Sequence, residues 1–571
     1  MNRFPEIWIV DFEFQVPPGC KPIPLCVAAF ELHSNQTIQY WIDPDSETRF
    51  DSLMGPDSLY VAFFASAEMG CHLVLDWPIP NQLIDLYVEF RNLTNGRTLP
   101  CGNGLLGAMA YFGLPAMDSS EKSEFRDLAI RGGPYSPNEK QALLDYCLAD
   151  VKATTKLFLA MREQIDYERA LFRGRYMVAV AKIELRGIPV DETLLNKLQS
   201  SWPQLRSRLI GEVDKEFRVY EGDRFKAKQF SQWLRGQDFA WPCLPSGQLD
   251  LKDSTFKEMS LKYPILQPLR ELRASLSQIR LTELPVGSDG RNRCLLSPFR
   301  SRTGRNQPSN TRFLFGPAVW VRFLMKPKSG WGLAYIDWSQ QEFGIAAALS
   351  KDVLMMDAYT SGDPYLAFAK QAGAVPEDAT KQSHKIEREQ FKACVLAVQY
   401  GMGAESLAQK INQPVIQAKR LLQLHKATYR TFWEWSDAVV DHAMLHGSLQ
   451  TVFGWQIHIG PDVNPRFLRN FPMQANGAEM LRLAAIFLMD AGIRTCAPIH
   501  DALLIEAPLD ELERDISRTQ ELMADASAIV LDGFRLRSDA EVVVYPDRYR
   551  DPRGEGMWST ISHLMEETSH A

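Results

Sequence analysis

Acidic residues recur in this chain at spacings that could do chemistry. In "IVDFEF", Asp11 and Glu13 alternate with Ile9, Phe12 and Phe14. The two-residue period of a strand puts both carboxylates on one face. Like charges so placed repel, and they are satisfied by protons or by a hard divalent cation, which takes carboxylate oxygens. Alone, the pair is equally a solvent-facing strand edge. "YCLAD" adds Tyr146 and Asp150, four apart and therefore on one face of a helix.

A second set lies further along. In "LAYIDWSQQEFGIAAALS", Asp337 leaves an apolar run and Glu342 follows five residues later. A carboxylate at the end of a buried strand is costly unless something binds it. In "PIHDALLIEAP", Asp501 sits at the bend of an apolar hairpin between Ile499 and Leu503. Each aspartate alone reads as a turn or strand-end residue. Brought together from neighbouring strands, they would hold two Mg²⁺ roughly 3.5–4 Å apart, an arrangement suited to in-line phosphoryl displacement. Ser339 to Glu342 has the spacing of a capping box, which gives Glu342 a purely structural reading.

The third set is cationic. In "REQFKACVLAVQYG", Arg388, Lys392, Leu396 and Tyr400 recur every four residues and form one slowly turning helical stripe. Two cations followed by an aromatic fit a triphosphate and then a base. A solvated basic helix with a core tyrosine has the same pattern.

The elements that must position these groups follow from periodicity. Residues 1–165 alternate strands and helices, including "IWIVDFEF", "IPLCVAAFEL" and a helical stretch from "SEFRDLAI" through "KQALLDYCLADVKATTKLFLAMREQ", an α/β pattern. Residues 166–297 are mainly helical and end at the turn-rich "PVGSDGRNR". After the strand at 333–337 a long helical region runs to about 447. "LQTVFGWQIHIG" reads as a hairpin around Gly454, "FPMQANGAEMLRLAAIFLMDAG" as a helix, "TCAPIHDALLIEA" as a second hairpin and "LRSDAEVVVYP" as a last strand.

With 571 residues, 45% hydrophobic and 23% charged, the chain has ordinary globular usage. It has no apolar run of membrane-spanning length and no signal-peptide core at "MNRFPEIWIVDFEF", so a cytoplasmic protein is expected. Nine cysteines without metal-ligand spacing fit free thiols in a reducing compartment. Net charge is −7, yet no Asp or Glu occurs from Arg291 to Ile336, where Arg291, Arg293, Arg300, Arg302, Arg305, Arg312, Arg322, Lys326 and Lys328 cluster. Such a stripe suits a phosphate backbone, or a loop paired to acids elsewhere.

In this order the motifs resemble family A DNA polymerases (the DNA polymerase I type). "DWSQQE" resembles the first palm motif, "REQFKACVLAVQYG" the fingers helix, and "IHDALL" the last palm motif with His500 and Asp501. "TGRNQPS" is similar to a loop that touches the primer duplex, "KIELRGIPVDETLL" to the thumb start, and "RFLRNFPMQANGAEML" to a duplex-tracking helix with Arg466, Asn470 and Gln474. The "DxE" and "YxxxD" pairs resemble DEDD-type 3′–5′ exonucleases.

The resemblance implies a ribonuclease H-like α/β exonuclease domain (1–165) and then a right hand. The hand comprises thumb (166–297), palm (298–349 and 448–571) and fingers (350–447), with no room for a further 5′-nuclease domain. It implies template-directed addition of dNTPs to a primer on primer–template DNA, with proofreading, by a monomer. Asp337 and Asp501 would hold two Mg²⁺, or Mn²⁺. Arg388, Lys392, Leu396, Tyr400, Gln340 and Tyr365 would meet the nucleotide, and Glu342 would act as the gate against a 2′-hydroxyl. Arg305, Arg466, Asn470, Gln474 and His500 would contact DNA. Asp11, Glu13, Glu68 and Asp150 would hold the exonuclease metals, with Tyr146 on the water.

Several positions depart from the family pattern. Ala502 follows Asp501 where an acid is usual, Leu396 replaces an aromatic, Tyr365 a histidine, Trp455 an arginine, and Glu68 an aspartate. These departures point to a divergent, phage-borne branch, acting in a host cytoplasm. The competing readings are an exonuclease whose second half mainly binds DNA, a single-subunit RNA polymerase, and a non-enzymatic DNA-binding protein.

Overall fold

The computed structural model describes residues 3–43, 55–115, 119–278, 284–316, 318–399, 401–460 and 463–569. Near the N-terminus five strands form one sheet in the spatial order Thr37–Trp41, Ile23–Glu31, Ile7–Gln15, Leu59–Ala62, Gln82–Asp85. The first three pair antiparallel and the last two join in parallel. Ile7–Gln15 is central, which accounts for its continuous burial from Ile7 to Val10. The register shifts between Glu13 and Phe14, a bulge of the kind that re-aims side chains next to functional sites.

The helical stretch expected from Ser123 is two helices and starts earlier, as Ser119–Arg131 and Pro137–Met161. Gly132, Gly133 and Pro134 break it. The second helix starts with a capping box between Ser136 and Glu139 and a proline in its first turn, and it lies across strands Ile7–Gln15 and Ile23–Glu31.

Helix Tyr167–Arg186 follows, N-capped by Asp166 and stopped at Gly187. It packs on strand Gln82–Asp85, on helix Ser66–Val74 and on helix Pro465–Asp490. The approach to the strand is possible because residue 174 is glycine: a Cβ there would lie 1.9 Å from the Leu83 carbonyl oxygen. One apolar core therefore runs from Trp8, Val10 and Tyr60 through Met177 and Val180 to Leu468, Phe471 and Ile486. Further along, helices Glu192–Phe217, Ala227–Gly236 and Asp253–Lys262 enclose a separate core of Phe217, Phe230, Leu234 and Phe256.

The second sheet is fully antiparallel, in the order Thr495–Ile499, Ala502–Pro508, Trp331–Trp338, Ser538–Val544. Helix Leu509–Val530 covers one face. Between Trp338 and Ser448 the chain is helical, from Gln341–Ser350 through Lys385–Gln399 to Arg430–His446. The hairpin around Gly454 is present as Ser448–Gln450 paired with Gln456–His458. The helix expected from Phe471 begins earlier, at Pro465, and holds Pro472 in its interior. Asn464 caps it, and Pro465 in the first turn sets its start.

Candidate active site at the second sheet and a second carboxylate group

Asp337 stands near the end of strand Trp331–Trp338, directly opposite Ala502 on one neighbour and Asp539 on the other. Asp501 lies in the tight turn before Ala502, where His500 takes a left-handed φ of 50°. The Trp338 N–H donates to the Asp501 carbonyl at 3.2 Å and ties that turn to the strand end. Burial, then Asp501, Asp539 and Glu541, push the Asp337 carboxyl up to about 6. Burial likewise raises Asp501, against the pull of Arg305 and His500. Carboxylates held at each other's expense fit a hard divalent cation, and the donors here are all oxygen.

Glu342 lies in the first turn of helix Gln341–Ser350, and the capping-box expectation fails there. The N-cap is Gln340, in a left-handed conformation with no side-chain cap bond. Ser339 instead donates its hydroxyl to Asp539 at 2.5 Å. The chain turns one residue later than a capping box requires, so Ser339 faces the sheet. Arg305 places its guanidinium 3.7 Å from Glu342, a partner that sequence spacing gave no means of finding.

Arg305 is held from behind. Its N–H donates to Ser301 Oγ at 2.8 Å, and Gly304, at φ 74°, lies against the indole of Trp455. Trp455 is fully buried and donates from Nε1 to the Arg302 carbonyl at 3.1 Å. Arg482, 2% exposed, donates to the Gly304 carbonyl at 2.7 Å and pairs with Glu479 at 2.8 Å. Trp455, flagged as a departure, thus shapes the loop that presents Arg305.

Arg388, Lys392 and Leu396 fall along helix Lys385–Gln399 as expected; Tyr400 lies outside the described residues. Arg388 is engaged by Asp363 at 2.5 Å and Glu389 at 2.6 Å. Asp363 also caps helix Pro364–Gln371, accepting from the Leu366 N–H. The buried ring of Tyr365 lies 5.5 Å from the Arg388 guanidinium and 5.9 Å from the Lys392 ammonium. Lys392 and Leu396 are half-buried. Arg466, Asn470 and Gln474, spaced by four, share one face near the start of helix Pro465–Asp490, and Arg466 packs over Gly401.

The single-sign stripe from Arg291 to Lys328 does not form one phosphate surface. Arg291 pairs with Glu506 at 2.8 Å, Arg293 with Asp289 at 2.6 Å, Arg322 with Asp551 at 2.7 Å and Lys326 with Asp191 at 3.6 Å. Lys328 lies 3.7 Å above the Trp331 ring. Burial and tertiary acids absorb these cations, as a contiguous charge run cannot reveal. Arg300, Arg302 and Arg312 are exposed.

In the N-terminal sheet the carboxylates of Asp11, Glu13 and Asp150 come within 4.8 Å of one another. Tyr146, one turn before Asp150, stacks on Phe125, with 5.3 Å between centroids. Its phenol is held well above its ordinary value by burial and by Asp150, Glu13 and Asp11. The Cys147 thiol lies 3.5 Å from an Asp11 carboxylate oxygen. Glu68 is not part of the close group. It is buried, its Oε2 has no hydrogen-bond partner, and burial and then Asp11 push its carboxyl well up. Asp85 is structural: it accepts from the Phe64, Ala65 and Tyr87 N–H groups and caps helix Leu86–Thr94.

Residues 316–542 match the family described as DNA polymerase family A. DNA polymerase I of Chloroflexus aurantiacus is 26% identical, over 64% of this chain and 43% of that protein. The Aquifex aeolicus DNA polymerase I is 25% identical, over 68% of this chain and 73% of its own length. The chain spans only 43% and 38% of the Chloroflexus and Deinococcus radiodurans relatives. A solved structure described as "POL domain of Pol1 from M. smegmatis complex with DNA primer-template and dNTP" superposes with a TM-score of 0.67. It covers 97% of this chain and 96% of that one at 20% identity, and so shares the fold. Over residues 316–542 the chain is thus similar to DNA polymerase family A, and the relatives it resembles are DNA polymerase I proteins. Among the described residues no helix is long and apolar enough to cross a membrane.

Proposed function

We propose that the chain is a template-directed DNA polymerase that adds deoxynucleotides to a primer 3′-hydroxyl. The observation that carries this reading is the meeting of Asp337 and Asp501 at adjacent strand ends, in a purely oxygen donor set. The DNA and dNTP in the M. smegmatis complex, and the DNA polymerase I relatives, support the choice of substrates. Mg²⁺ (or Mn²⁺), two per site, would supply activation of the 3′-hydroxyl and charge neutralisation on the triphosphate.

Asp337 and Asp501 are the residues that hold the cations. Lys392, half-exposed on the fingers helix, faces the phosphates and offers a proton to the departing pyrophosphate. Arg388 joins it on the triphosphate while Asp363 fixes its orientation. Tyr365 supports both cations from below, Leu396 lies by the sugar, and Tyr400 stacks near the templating pair. Glu342, with Gln340 beside it, fills the space a 2′-hydroxyl would need. Arg305, Arg466, Asn470, Gln474 and His500 track the duplex.

The N-terminal unit is read as a ribonuclease H-like 3′–5′ proofreading exonuclease. Asp11, Glu13 and Asp150 form its cation site, Glu68 completes it, and Tyr146 orients the water. The unit spans 1–165, the thumb 166–297, the palm 298–349 and 448–571, and the fingers 350–447. The chain acts as a monomer, in a phage-infected cytoplasm.

The test is extension and degradation of a labelled primer–template with Mg²⁺, supplied with dNTPs or NTPs. Asp337→Asn and Asp501→Ala are expected to abolish extension and leave degradation. Full extension by Asp501→Ala would sink the assignment. The second reading, an exonuclease whose C-terminal half mainly binds DNA, draws on Ala502 and on Arg388 being engaged by Asp363. It requires degradation without any extension by the parent chain.

A further inference from the structure

Where helix Tyr167–Arg186 ends, between the loop before strand Ile23–Glu31 and the second sheet, lies a cavity of about 520 Å³. That is the size of a small-molecule site. None of its lining residues belongs to either carboxylate group or to helix Lys385–Gln399. Part of the lining is apolar, made by Leu73, Ala179, Ile183, Ala485, Met489 and Ile493. The rest carries Lys21, Lys182, Arg186, Arg291 and Arg293, against the acids Asp289 and Glu506.

Two of the arginines are spent on the fold. Arg291 donates to the Arg186 and Gly187 carbonyls and pairs with Glu506. Arg293 donates to the Leu185 carbonyl and pairs with Asp289. They hold the helix end and occupy both acids. Arg186 keeps a 3.6 Å share of Glu506, while Lys21 and Lys182, both exposed, have no acidic partner among the described residues. Cations gathered at one cavity without acids of their own repel one another, and a bound anion relieves that.

The mouth is firmly built. Arg293 also donates to the Gly19 carbonyl at 3.0 Å, and a Cβ on Gly19 would lie 2.4 Å from the Val286 carbonyl carbon. This close fit fastens the turn before Lys21 to the segment that carries Arg291 and Arg293. Thr495 is an independent sign of a ligand. It lines the cavity at 6% exposure, and its hydroxyl has no hydrogen-bond partner among the described residues. A buried hydroxyl left unpaired is unfavourable, and a polar group of a ligand would satisfy it.

We infer that this cavity binds a nucleoside phosphate. Lys21, Lys182 and Arg186 take the phosphate, the flat face of the base lies on Ala179, Ile183, Ala485 and Met489, and a polar ring atom meets the Thr495 hydroxyl. A hydrocarbon anion would leave that hydroxyl unpaired, and a bare phosphate would leave the apolar lining uncovered. The site lies apart from the proposed catalytic centre and stands whether or not the chain extends primers.

The test is isothermal titration calorimetry of the full chain with dAMP, in EDTA so that neither carboxylate group can hold nucleotide through a cation. Saturable binding by the parent is expected. The double variant Lys21→Glu with Lys182→Glu alters two exposed side chains, and thermal melts check that the fold is kept. Its affinity should fall roughly tenfold or more, the worth of one or two charge-assisted hydrogen bonds. Thr495→Val keeps the shape and drops the hydroxyl; it should melt at or above the parent and bind dAMP a few-fold less tightly. Lys392→Ala should bind dAMP as the parent does. Deoxyadenosine and inorganic phosphate, the two parts of the ligand, should each bind roughly tenfold or more weakly than dAMP. No binding by the parent, or affinity unchanged in the double variant, overturns the inference. So does inorganic phosphate binding as tightly as dAMP. A double variant that loses primer–template binding and keeps dAMP binding overturns it too, and makes the two lysines a DNA surface.

Discussion

The Arg305 guanidinium lies 3.7 Å from the Glu342 carboxylate, and the two side chains are 25% and 20% exposed. Burial holds the Glu342 carboxyl above its ordinary value, and Arg305, from a distant loop, works against that rise. That loop is fastened by Trp455 and Arg482, which makes the position of Glu342 depend on the rigidity of residues far away in sequence. On the proposed reading of Glu342 as the gate against a 2′-hydroxyl, Arg305 braces it, and its removal should be felt in nucleotide choice.

Glu342→Ala is expected to admit ribonucleotides, raising the ratio of NTP to dNTP incorporation roughly tenfold or more, the scale on which a pocket senses one small group. Single-nucleotide incorporation kinetics measure it. Unchanged discrimination would assign Glu342 to the helix start alone.

The pH dependence of Asp337 has a definite sign. Its carboxyl is raised from 3.8 to about 6 in the folded chain. A group that binds protons more readily when folded favours the fold at low pH and turns against it as pH rises through that window. In the metal-free protein Asp337→Asn should therefore raise the melting temperature at pH 7 and lose that advantage near pH 4. Divalent cation affinity of the parent should fall as pH drops through about 6, because the cation competes with the proton.

Asp363 has two tasks, capping helix Pro364–Gln371 and holding Arg388. Asp363→Ala should cost about 1 kcal/mol of stability through the lost cap. It should also raise KM for dNTPs with a smaller change in kcat. Asp363→Asn keeps the cap and loses the ion pair, so comparing the two by melting and steady-state kinetics separates the roles.

For the N-terminal group, Glu68→Gln should lower the rate of primer degradation roughly ten- to a hundredfold and leave extension alone. Because the carboxyl is buried, with Oε2 unpartnered beside Asp11, the amide is expected to be tolerated or stabilising in the absence of metal. Degradation at the parental rate would make Glu68 a buried structural residue.

How much of this could be read from the sequence depended on range. Period-two alternation placed Asp11 and Glu13 on one face, and helical spacing put Tyr146 with Asp150, because both patterns are local. The turn at Asp501 followed from apolar flanks on each side. The partners that sequence reading missed are tertiary: Arg305 against Glu342, Asp363 against Arg388, Asp539 against Asp337. Only the strand register brings 539 beside 337, and no periodicity encodes which strand pairs with which. The basic run misled for the same reason, since the acids that take up Arg291, Arg322 and Lys326 are at positions 506, 551 and 191. Pro472 shows the limit of local rules at a helix, which tolerates it behind a start set by Asn464 and Pro465.

The core shared by Trp8, Tyr60, Val180 and Ile486 bears on how the molecule can be taken apart. With Gly174 pressed onto the Leu83 carbonyl, helix Tyr167–Arg186 is a seam rather than a tether. A polypeptide cut at residue 165 would bare a greasy flank on each fragment, inviting aggregation of both. The two halves should melt as one cooperative body, and a lineage dispensing with the N-terminal carboxylate group would have to keep its scaffold or repaint the exposed wall with polar side chains.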